Sequence, residues 1–240
     1  KCIHCYASAP TKKDFSNELN TQGLEKLITQ IDEMGVLEIC FTGGESFCSK
    51  KTLELSKEFH KKGIKLSYIT NASLINERRI EELKQIKPSF IRVSFHSHKK
   101  ELFEKITGTK NYYKVLDNVM KLKEAGIVPA ISCTLFNGIN NSYTIIKEFL
   151  EFFKERGFNA KDISFDEFVP DGCGKISKQY RINEEEAIKN IENAFIEVFN
   201  YKPIKNESPL KDSYCGVGVS SLAIKSNGNI TLCPVLQEPV

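Results

Sequence analysis

The sequence predicts a protein of the α/β class, in which parallel strands alternate with helices along the chain. Short apolar runs rich in Val, Ile and Phe recur, and a longer segment with apolar residues at helical spacing follows each of them. Glycines stand where most of these helical segments end, as is typical of helix C-termini. This alternation favours βα units with right-handed crossovers, in one sheet that is covered by helices.

The first helix begins at Asn20, carries Leu24 and Ile28 on one face and stops at Gly35. Runs of β-favouring residues identify the five strands, and we expect a sixth strand immediately before Cys2. In chain order the predicted elements are helix 20–35, strand 36–41, helix 50–62, strand 64–70, helix 77–86, strand 89–95, helix 112–125, strand 127–136, helix 143–156, strand 162–169 and helix 184–201.

A β-hairpin is predicted near the end of the chain, where this alternation stops. Residues 222–225 and 230–232 flank the turn Ser226-Asn227-Gly228-Asn229, and an Asn-Gly pair between alternating apolar residues is a strong hairpin signal. The polar stretch 205–214 before it indicates a linker. Cys215 precedes the hairpin and Cys233 closes it, an arrangement that can hold a metal centre.

The composition is that of an ordinary globular protein. The chain has 240 residues, of which 40% are hydrophobic and 27% charged, with a formal net charge of +3. A charge this small, with dispersed lysines, favours neither nucleic acid nor a membrane as a partner. Neither an apolar run of membrane-spanning length nor a signal peptide is visible, so we expect a cytoplasmic protein.

The chain contains eight cysteines, which we expect to be reduced because disulfide frameworks belong to short secreted chains. Cys40 and Cys133 lie inside predicted strands, where a small buried thiol is expected. The spacing Cys2-x-x-Cys5 suits one metal ion or two corners of an iron–sulfur cluster, whereas a surface thiol pair without metal is the alternative. We expect His4, between these two cysteines, to be exposed. The four cysteines in turn-rich segments are candidate metal ligands: Cys2, Cys5, Cys215 and Cys233.

Polar residues follow the predicted strands, at the end of the sheet where α/β proteins build their sites. They include Thr42–Glu45, Thr70, Asn71, Ser94, His96, Asn137, Asn140, Glu167 and Asp171. In the turn Gly43-Gly44-Glu45, the glycines let the backbone pass close to a ligand, and the carboxylate can bind an ammonium group. A tight turn with a solvated Glu45 is the alternative interpretation.

The pair Cys2-x-x-Cys5 followed by Tyr6, the turn Gly43-Gly44-Glu45 and the strand end Thr70-Asn71 together resemble the radical S-adenosylmethionine enzymes. Cys2 and Cys5 match the second and third cysteines of that family's C-x3-C-x2-C motif. The resemblance implies a partial (β/α)6 TIM-like barrel with a C-terminal β-hairpin. It divides the chain into a radical enzyme core at 1–204 and the start of an auxiliary-cluster domain at 205–240.

That second part is similar to the opening of a SPASM domain, a C-terminal extension with auxiliary iron–sulfur clusters. Cys215, Gly228 and Cys233 carry this similarity. The cofactors implied are a [4Fe–4S] cluster, S-adenosylmethionine and, in the full-length protein, auxiliary clusters. The residues implied for the S-adenosylmethionine pocket are Gly43, Gly44, Glu45, Asn71 and Ser94. For Ser94 and Asn71, a helix-capping serine and a turn asparagine are the alternatives.

The resemblance also implies the reaction. Reductive cleavage of S-adenosylmethionine at the cluster would generate a 5′-deoxyadenosyl radical, and SPASM-type relatives mostly use it to modify a peptide or protein side chain. The expected partners are that substrate and reduced flavodoxin or ferredoxin as the electron donor. A radical enzyme of small-molecule cofactor biosynthesis is one alternative. A non-catalytic zinc-binding module is another, since the cysteine spacings also suit zinc.

Several positions depart from the family pattern. His96 stands where relatives often have Asp, and for His96 and His98 we expect exposure or hydrogen bonding rather than a metal. Thr107 stands where relatives often have Arg, so a contact to the cofactor carboxylate is missing or comes from elsewhere. Cys173 also replaces an Arg, and for this thiol, as for Cys48, a plain loop residue is the favoured interpretation over a reactive one.

Overall fold

The computed structural model describes residues 2–5, 16–167, 169, 172–203 and 216–235. Five parallel strands form one sheet in the order β1-β2-β3-β4-β5. These strands are β1 (Glu38–Phe41), β2 (Lys65–Thr70), β3 (Phe90–Ser94), β4 (Ala130–Thr134) and β5 (Ile163–Asp166). The α/β class and all five predicted strands are confirmed, although each strand is shorter than predicted.

Helices connect successive strands, as the alternation in the sequence predicts. They are α1 (Thr21–Glu33), α2 (Lys51–Lys61), α3 (Glu77–Ile86), α4 (Lys100–Thr107), α5 (Tyr112–Glu124), α6 (Tyr143–Glu155) and α7 (Glu184–Phe199), with 3-10 turns at Ala160–Asp162 and Gly172–Tyr180. Helix α4 was not predicted. It is only two turns long and buries Phe103, Ile106 and Thr107, too few apolar positions to establish a helical period in the sequence.

Polar side chains fix where several helices begin. The side chains of Asn20, Asn76, Ser142 and Asn183 each accept a hydrogen bond from a backbone N–H in the first turn of α1, α3, α6 and α7 respectively. These bonds satisfy donors that have no partner within the helix. The predicted starts of these helices therefore lie close to the observed ones.

The helices pack on one face of the sheet. On β3, Ile91 and Val93 are buried, whereas Arg92 and Ser94 between and after them are only half-buried. The buried face joins helical residues such as Leu83 in one hydrophobic core. Because successive strand residues point to opposite faces, the other face of the sheet is left to polar side chains.

The predicted hairpin is present, with β6 (Ala223–Ile224) antiparallel to β7 (Ile230–Thr231). Gly228 turns the chain at φ 87°. The hairpin lies against the segment before α1, since the Leu19 N–H donates to the Ser226 carbonyl at 2.8 Å. Cys215, the linker 205–214 and the proposed domain boundary at 204/205 lie outside the described residues. Within the described part of the chain, no helix combines the length and apolarity needed to cross a membrane.

Candidate cofactor site

The carboxyl ends of the five parallel strands lie at one edge of the sheet, and Glu45 stands there, after β1. Its Oε1 accepts hydrogen bonds from the Thr70 hydroxyl at 2.6 Å and from the Phe47 N–H at 3.1 Å. Its Oε2 accepts one from the Asn71 N–H at 2.8 Å. The structure thus joins the glycine turn after β1 to the end of β2, as the sequence predicts, and Glu45 is not a freely solvated side chain.

The surroundings of Glu45 shift the pKa of its carboxyl in opposite directions. Burial raises the pKa of the Glu45 carboxyl, and the hydrogen bonds from Thr70, Asn71 and Phe47 only partly oppose that rise. A carboxylate has about four acceptor positions, and three of them are used by these donors. One acceptor position on Oε2 is therefore left for a cation such as an ammonium group.

The backbone beside Glu45 is open. Gly43 and Gly44 are both exposed, and Gly43 has φ 125° with no atom within 4 Å of the place a Cβ would occupy. Below them, the Ser46 hydroxyl donates to the Phe41 carbonyl at 3.0 Å and to the Ile69 carbonyl at 2.5 Å. Hydrogen bonds of Ser46 therefore hold the turn on its buried side, while the backbone of Gly43 and Gly44 is exposed. This geometry suits a ligand that binds against the backbone.

The Cys2–Cys5 loop lies at the same edge, over the ends of β3 and β4. The Ile3 N–H donates to the Ile106 carbonyl at 3.0 Å, and the Cys5 N–H donates to the Cys2 carbonyl at 3.4 Å. The His4 ring meets the rings of His96 and Phe136 edge to face, with centroids 4.6 and 5.2 Å apart. Since His96 and Phe136 follow the last residues of β3 and β4, this loop and Glu45 occupy the same end of the sheet.

The expectation that His4 is exposed was wrong. His4 is half-buried, its Nδ1 is enclosed without a hydrogen-bond partner among the described residues, and burial lowers its pKa to about 4. The aromatic contacts to His96 and Phe136 account for this, because they form only when the chain folds the loop onto α4 and the strand ends. The imidazole is therefore neutral at physiological pH.

His96 is buried and hydrogen-bonded rather than exposed. Its Nδ1 accepts from the Thr134 N–H at 3.2 Å, so the proton of the neutral ring is on Nε2. Burial, together with the nearby His4, holds the pKa of His96 well below its usual value. The Asn140 amide supports this corner by donating to the His96 and Thr134 carbonyls, both at 2.9 Å.

The other predicted pocket residues are placed less tightly. The Asn71 side chain accepts from the Ser73 N–H at 2.9 Å, the bond expected of a turn asparagine, and only its backbone N–H reaches Glu45. Ser94 ends β3, opposite Ser132 in the register, and its hydroxyl has no hydrogen bond among the described residues. Thr107 is directed back into its own helix, donating to the Phe103 carbonyl at 2.8 Å.

The cysteines fall into distinct environments. Cys133 is buried as predicted, and burial raises the pKa of its thiol. The prediction that Cys40 is buried was wrong, because this residue points to the polar face of the sheet and is exposed. Cys233 accepts a hydrogen bond at its Sγ from the Val235 N–H at 3.4 Å. Cys215 and the side chain of Cys173 lie outside the described part.

Among the described residues, Cys2 and Cys5 have the spacing and exposure that suit a metal centre. Both thiols are half-buried in a turn, at the spacing that suits two corners of an iron–sulfur cluster. No group of three potential metal ligands occurs among the described residues. The described residues thus hold these two thiols at the expected spacing and add no third potential ligand beside them.

The sequence missed two residues that build this edge. Ala72 adopts φ 56°, and the Asn118 side chain from α5 donates to its carbonyl at 2.7 Å. These contacts hold the turn after β2, which in turn aims the Asn71 N–H at Glu45. An asparagine inside an amphipathic helix is too common to have identified this role beforehand.

Comparison with known proteins gives one family. The family profile described as the Radical SAM superfamily matches residues 1–143. Fe-coproporphyrin III synthase of Methanosarcina barkeri is 32% identical over 136 residues, 56% of this chain and 34% of that protein. PqqA peptide cyclase of Bradyrhizobium diazoefficiens is 31% identical over 110 residues, 45% of this chain and 29% of that protein. The chain thus spans about a third of the length of these two relatives.

A third relative matches over nearly the whole chain. GTP 3′,8-cyclase of Clostridium botulinum is 26% identical over 250 residues, covering 97% of this chain and 76% of that enzyme. Among solved structures, anSMEcpe with bound AdoMet superposes with a TM-score of 0.78 at 20% identity, over 99% of this chain and 71% of that one. Streptococcus suis SuiB bound to the precursor peptide SuiA superposes with a TM-score of 0.70 at 17% identity, over 98% and 56%. These likenesses confirm the predicted partial-barrel fold.

Proposed function

Because the chain belongs to the Radical SAM superfamily, we propose that it is the core of a radical enzyme that modifies a peptide or protein side chain. Bound together, a reduced [4Fe–4S] cluster and S-adenosylmethionine supply a radical that abstracts hydrogen from a substrate. The residues at the carboxyl edge of the sheet bind and position the cluster, the cofactor and the substrate.

Two groups of residues at this edge have separate tasks in the proposal. Cys2 and Cys5 hold two corners of the cluster. Glu45 accepts the amino group of S-adenosylmethionine on its unused Oε2 position, while Gly43 and Gly44 let that group approach the backbone. Ser94 and Asn71 line the same pocket. The observation that carries the proposal is the anchoring of Glu45 by Thr70, Asn71 and Phe47 at the edge where the Cys2–Cys5 loop also lies.

A peptide or protein is proposed as the substrate class because the PqqA cyclase relative acts on a peptide by name and the SuiB structure holds a precursor peptide. The cysteine-flanked hairpin adds to this proposal, with Cys215 and Cys233 as ligands of an auxiliary cluster. A small-molecule substrate is the second candidate, favoured by the extensive match to GTP 3′,8-cyclase. The electron donor, reduced flavodoxin or ferredoxin, and a cytoplasmic location stay predictions.

The proposal is tested by anaerobic reconstitution of the full-length protein with iron and sulfide. We expect brown protein with acid-labile sulfide that releases 5′-deoxyadenosine when dithionite and S-adenosylmethionine are added. The double variant Cys2→Ala/Cys5→Ala should lose both iron and product. Cys40→Ala, which removes an exposed thiol from the polar face, should keep its iron and sulfide. Colourless protein with bound zinc and no sulfide would overturn the proposal in favour of a zinc module.

A further inference from the structure

The polar face of the sheet carries charged and hydroxyl side chains that the cofactor site does not use. Strand register places them on this face together, because residues paired across neighbouring parallel strands point to the same side. The members used below are Glu38 and Cys40 on β1, Ser67 on β2, Arg92 and Ser94 on β3, Ser132 on β4 and Asp166 on β5.

Arg92 lies at the centre of this face, and its Nε–H lacks an acceptor among the described residues. Its Nε is enclosed and has no hydrogen-bond partner, and no ion pair involves its guanidinium among the described residues. Two carboxylates of this face accept from hydroxyl groups instead: Glu38 accepts from the Ser67 hydroxyl at 3.2 Å, and Asp166 accepts from the Ser132 hydroxyl. An enclosed arginine N–H without an acceptor is costly, so this guanidinium is suited to a ligand.

The positive charge of Arg92 affects other side chains on the polar face of the sheet. Partial desolvation by its surroundings raises the pKa of the Cys40 thiol, although the residue is exposed, and the positive charge of Arg92 opposes that rise from two strands away. An incoming anion on this face would meet the same field. The planar guanidinium also presents paired N–H groups that match the two oxygens of a carboxylate.

The position of Arg92 separates it from the cofactor pocket. Arg92 lies two residues before the end of β3, so its Cα is about 7 Å further from the carboxyl edge than that of Ser94, at the usual strand rise. Glu45 and the Cys2–Cys5 loop lie beyond the ends of the strands. A group that reaches Arg92 must therefore extend along the polar face, beneath the place of the cofactor.

We propose that Arg92 is a specificity-determining residue that binds a carboxylate of the substrate. This inference rests on the proposed function, in which the carboxylate is an acidic side chain of the modified peptide. One guanidinium neutralises one carboxylate, which fits a single acidic side chain better than a triphosphate. An acidic residue near the modified position is the expected feature of the substrate.

The test compares the binding of two tripeptides with blocked termini, acetyl-Ala-Glu-Ala-amide and acetyl-Ala-Gln-Ala-amide. The protein is the reconstituted full-length protein with S-adenosylmethionine bound. Calorimetric titrations, which apply equally to the variants below, should show that the Glu peptide binds about tenfold or more tightly than the Gln peptide, and in the unchanged protein the Glu peptide should also shift the ¹⁵N–¹H signal of the Arg92 Nε–H. Arg92→Gln should abolish this preference, and Arg92→Lys should retain part of it. Arg78→Gln is the matched control, because Arg78 is an exposed arginine on α3 and the preference should survive its loss.

Three outcomes would overturn the inference. Arg92→Gln could keep the Glu preference, or it could weaken S-adenosylmethionine binding equally, which would assign Arg92 to the cofactor carboxylate. Inorganic phosphate could shift the Arg92 signal while the Glu peptide does not, which would indicate a phosphorylated substrate. Failure of the proposed function is a separate result, namely no release of 5′-deoxyadenosine, and it can occur with the Glu preference intact.

Discussion

At the scale of single residues, the candidate site depends on how neighbours adjust one carboxylate and one imidazole. Glu45 is enclosed enough for burial to raise its pKa, yet it receives three hydrogen bonds that hold it in place. His96 is enclosed further and stays neutral, which fixes its Nδ1 as an acceptor for the strand end. Each of these properties leads to a measurable expectation.

The affinity for S-adenosylmethionine should depend on pH through Glu45. Only the carboxylate binds an ammonium group well, and a raised pKa means that Glu45 takes up its proton at a higher pH than an ordinary glutamate does. Affinity should therefore fall as the pH is lowered, with a midpoint above the usual glutamate value. Calorimetric titrations of the reconstituted protein between neutral and mildly acidic pH would measure this midpoint.

Glu45→Gln is the control for that pH dependence. It should bind S-adenosylmethionine about tenfold or more weakly at neutral pH, since the charge-assisted hydrogen bond is lost, and its affinity should no longer follow this titration. Glu155→Gln changes an exposed carboxylate at the end of α6 and should behave like the unchanged protein. An unaltered pH profile in Glu45→Gln would show that another group is responsible.

His96→Ala should destabilise the fold. It removes the acceptor of the buried Thr134 N–H and the ring that His4 packs against, so we expect a loss of about 1–3 kcal/mol in the free energy of unfolding. Denaturant titration would measure it, with His60→Ala on the exposed surface of α2 as the control. Equal stability of the two variants would contradict the structural role of His96.

At the scale of elements, the contacts between segments decide how the site is framed. The Cys2–Cys5 loop is held by α4 and the ends of β3 and β4, while the hairpin is held by the segment before α1. That segment also reaches the loop after Glu45, since the Ser49 hydroxyl donates to Glu18 at 3.2 Å. The hairpin with Cys233 is thereby connected, through Leu19 and Glu18, to the loop that follows the glycine turn.

Gly228→Ala should loosen the hairpin from this segment. Gly228 has φ 87°, and an added Cβ would lie 2.9 Å from the Leu19 Cδ2, so both backbone strain and a steric contact oppose the change. The Leu19 amide, bonded to the Ser226 carbonyl, should exchange its hydrogen about fivefold or more faster if roughly 1 kcal/mol is lost.

Gly35→Ala provides the matched control for Gly228→Ala. Gly35 has φ 65° with nothing within 4 Å of an added Cβ, so it carries a similar backbone strain without the contact. Its substitution should leave exchange of the Leu19 amide unchanged. Equal protection of Leu19 in both variants would show that the hairpin does not depend on this contact.

At the scale of the whole molecule, one aromatic core supports the sheet from its helical side. Phe153 on α6 is fully buried, and its ring lies 5.0–5.4 Å from the rings of Phe149, Phe95 and Phe158. Because the opposite face of the sheet is polar, this side contributes most of the hydrophobic stabilisation. The core therefore holds the strand ends that position the site.

Phe153→Ala should lower the free energy of unfolding by about 3–5 kcal/mol, the usual effect of removing a fully buried ring. Phe152→Ala, on the same helix but only partly buried beneath Arg156, should lower it by clearly less. Urea titrations of both variants would measure the difference. Similar losses in the two would mean that the core is not centred on Phe153.

Local patterns were sufficient for most of the fold. Apolar periodicity and glycine stops located the five strands of the sheet and six of the seven α-helices that the described residues form, because each of these signals lies within a few residues of the element it defines. Helix α4 was missed since its two turns carry too few apolar residues for a period. The grouping of Glu45 with Thr70 and Asn71 was also predictable, because the carboxyl ends of parallel strands meet at one edge of a sheet.

The amino-acid sequence by itself determined the α/β class, the βα alternation, the cysteine spacing and the family. Only the tertiary structure decided that His4 is enclosed against His96, that Cys40 faces the polar side and that the Arg92 Nε–H has no acceptor in the described part of the chain. The physical reason is that burial and pairing depend on which distant segments come together. The neighbouring residues in the chain do not indicate which rings, carbonyls and charges surround a residue after folding.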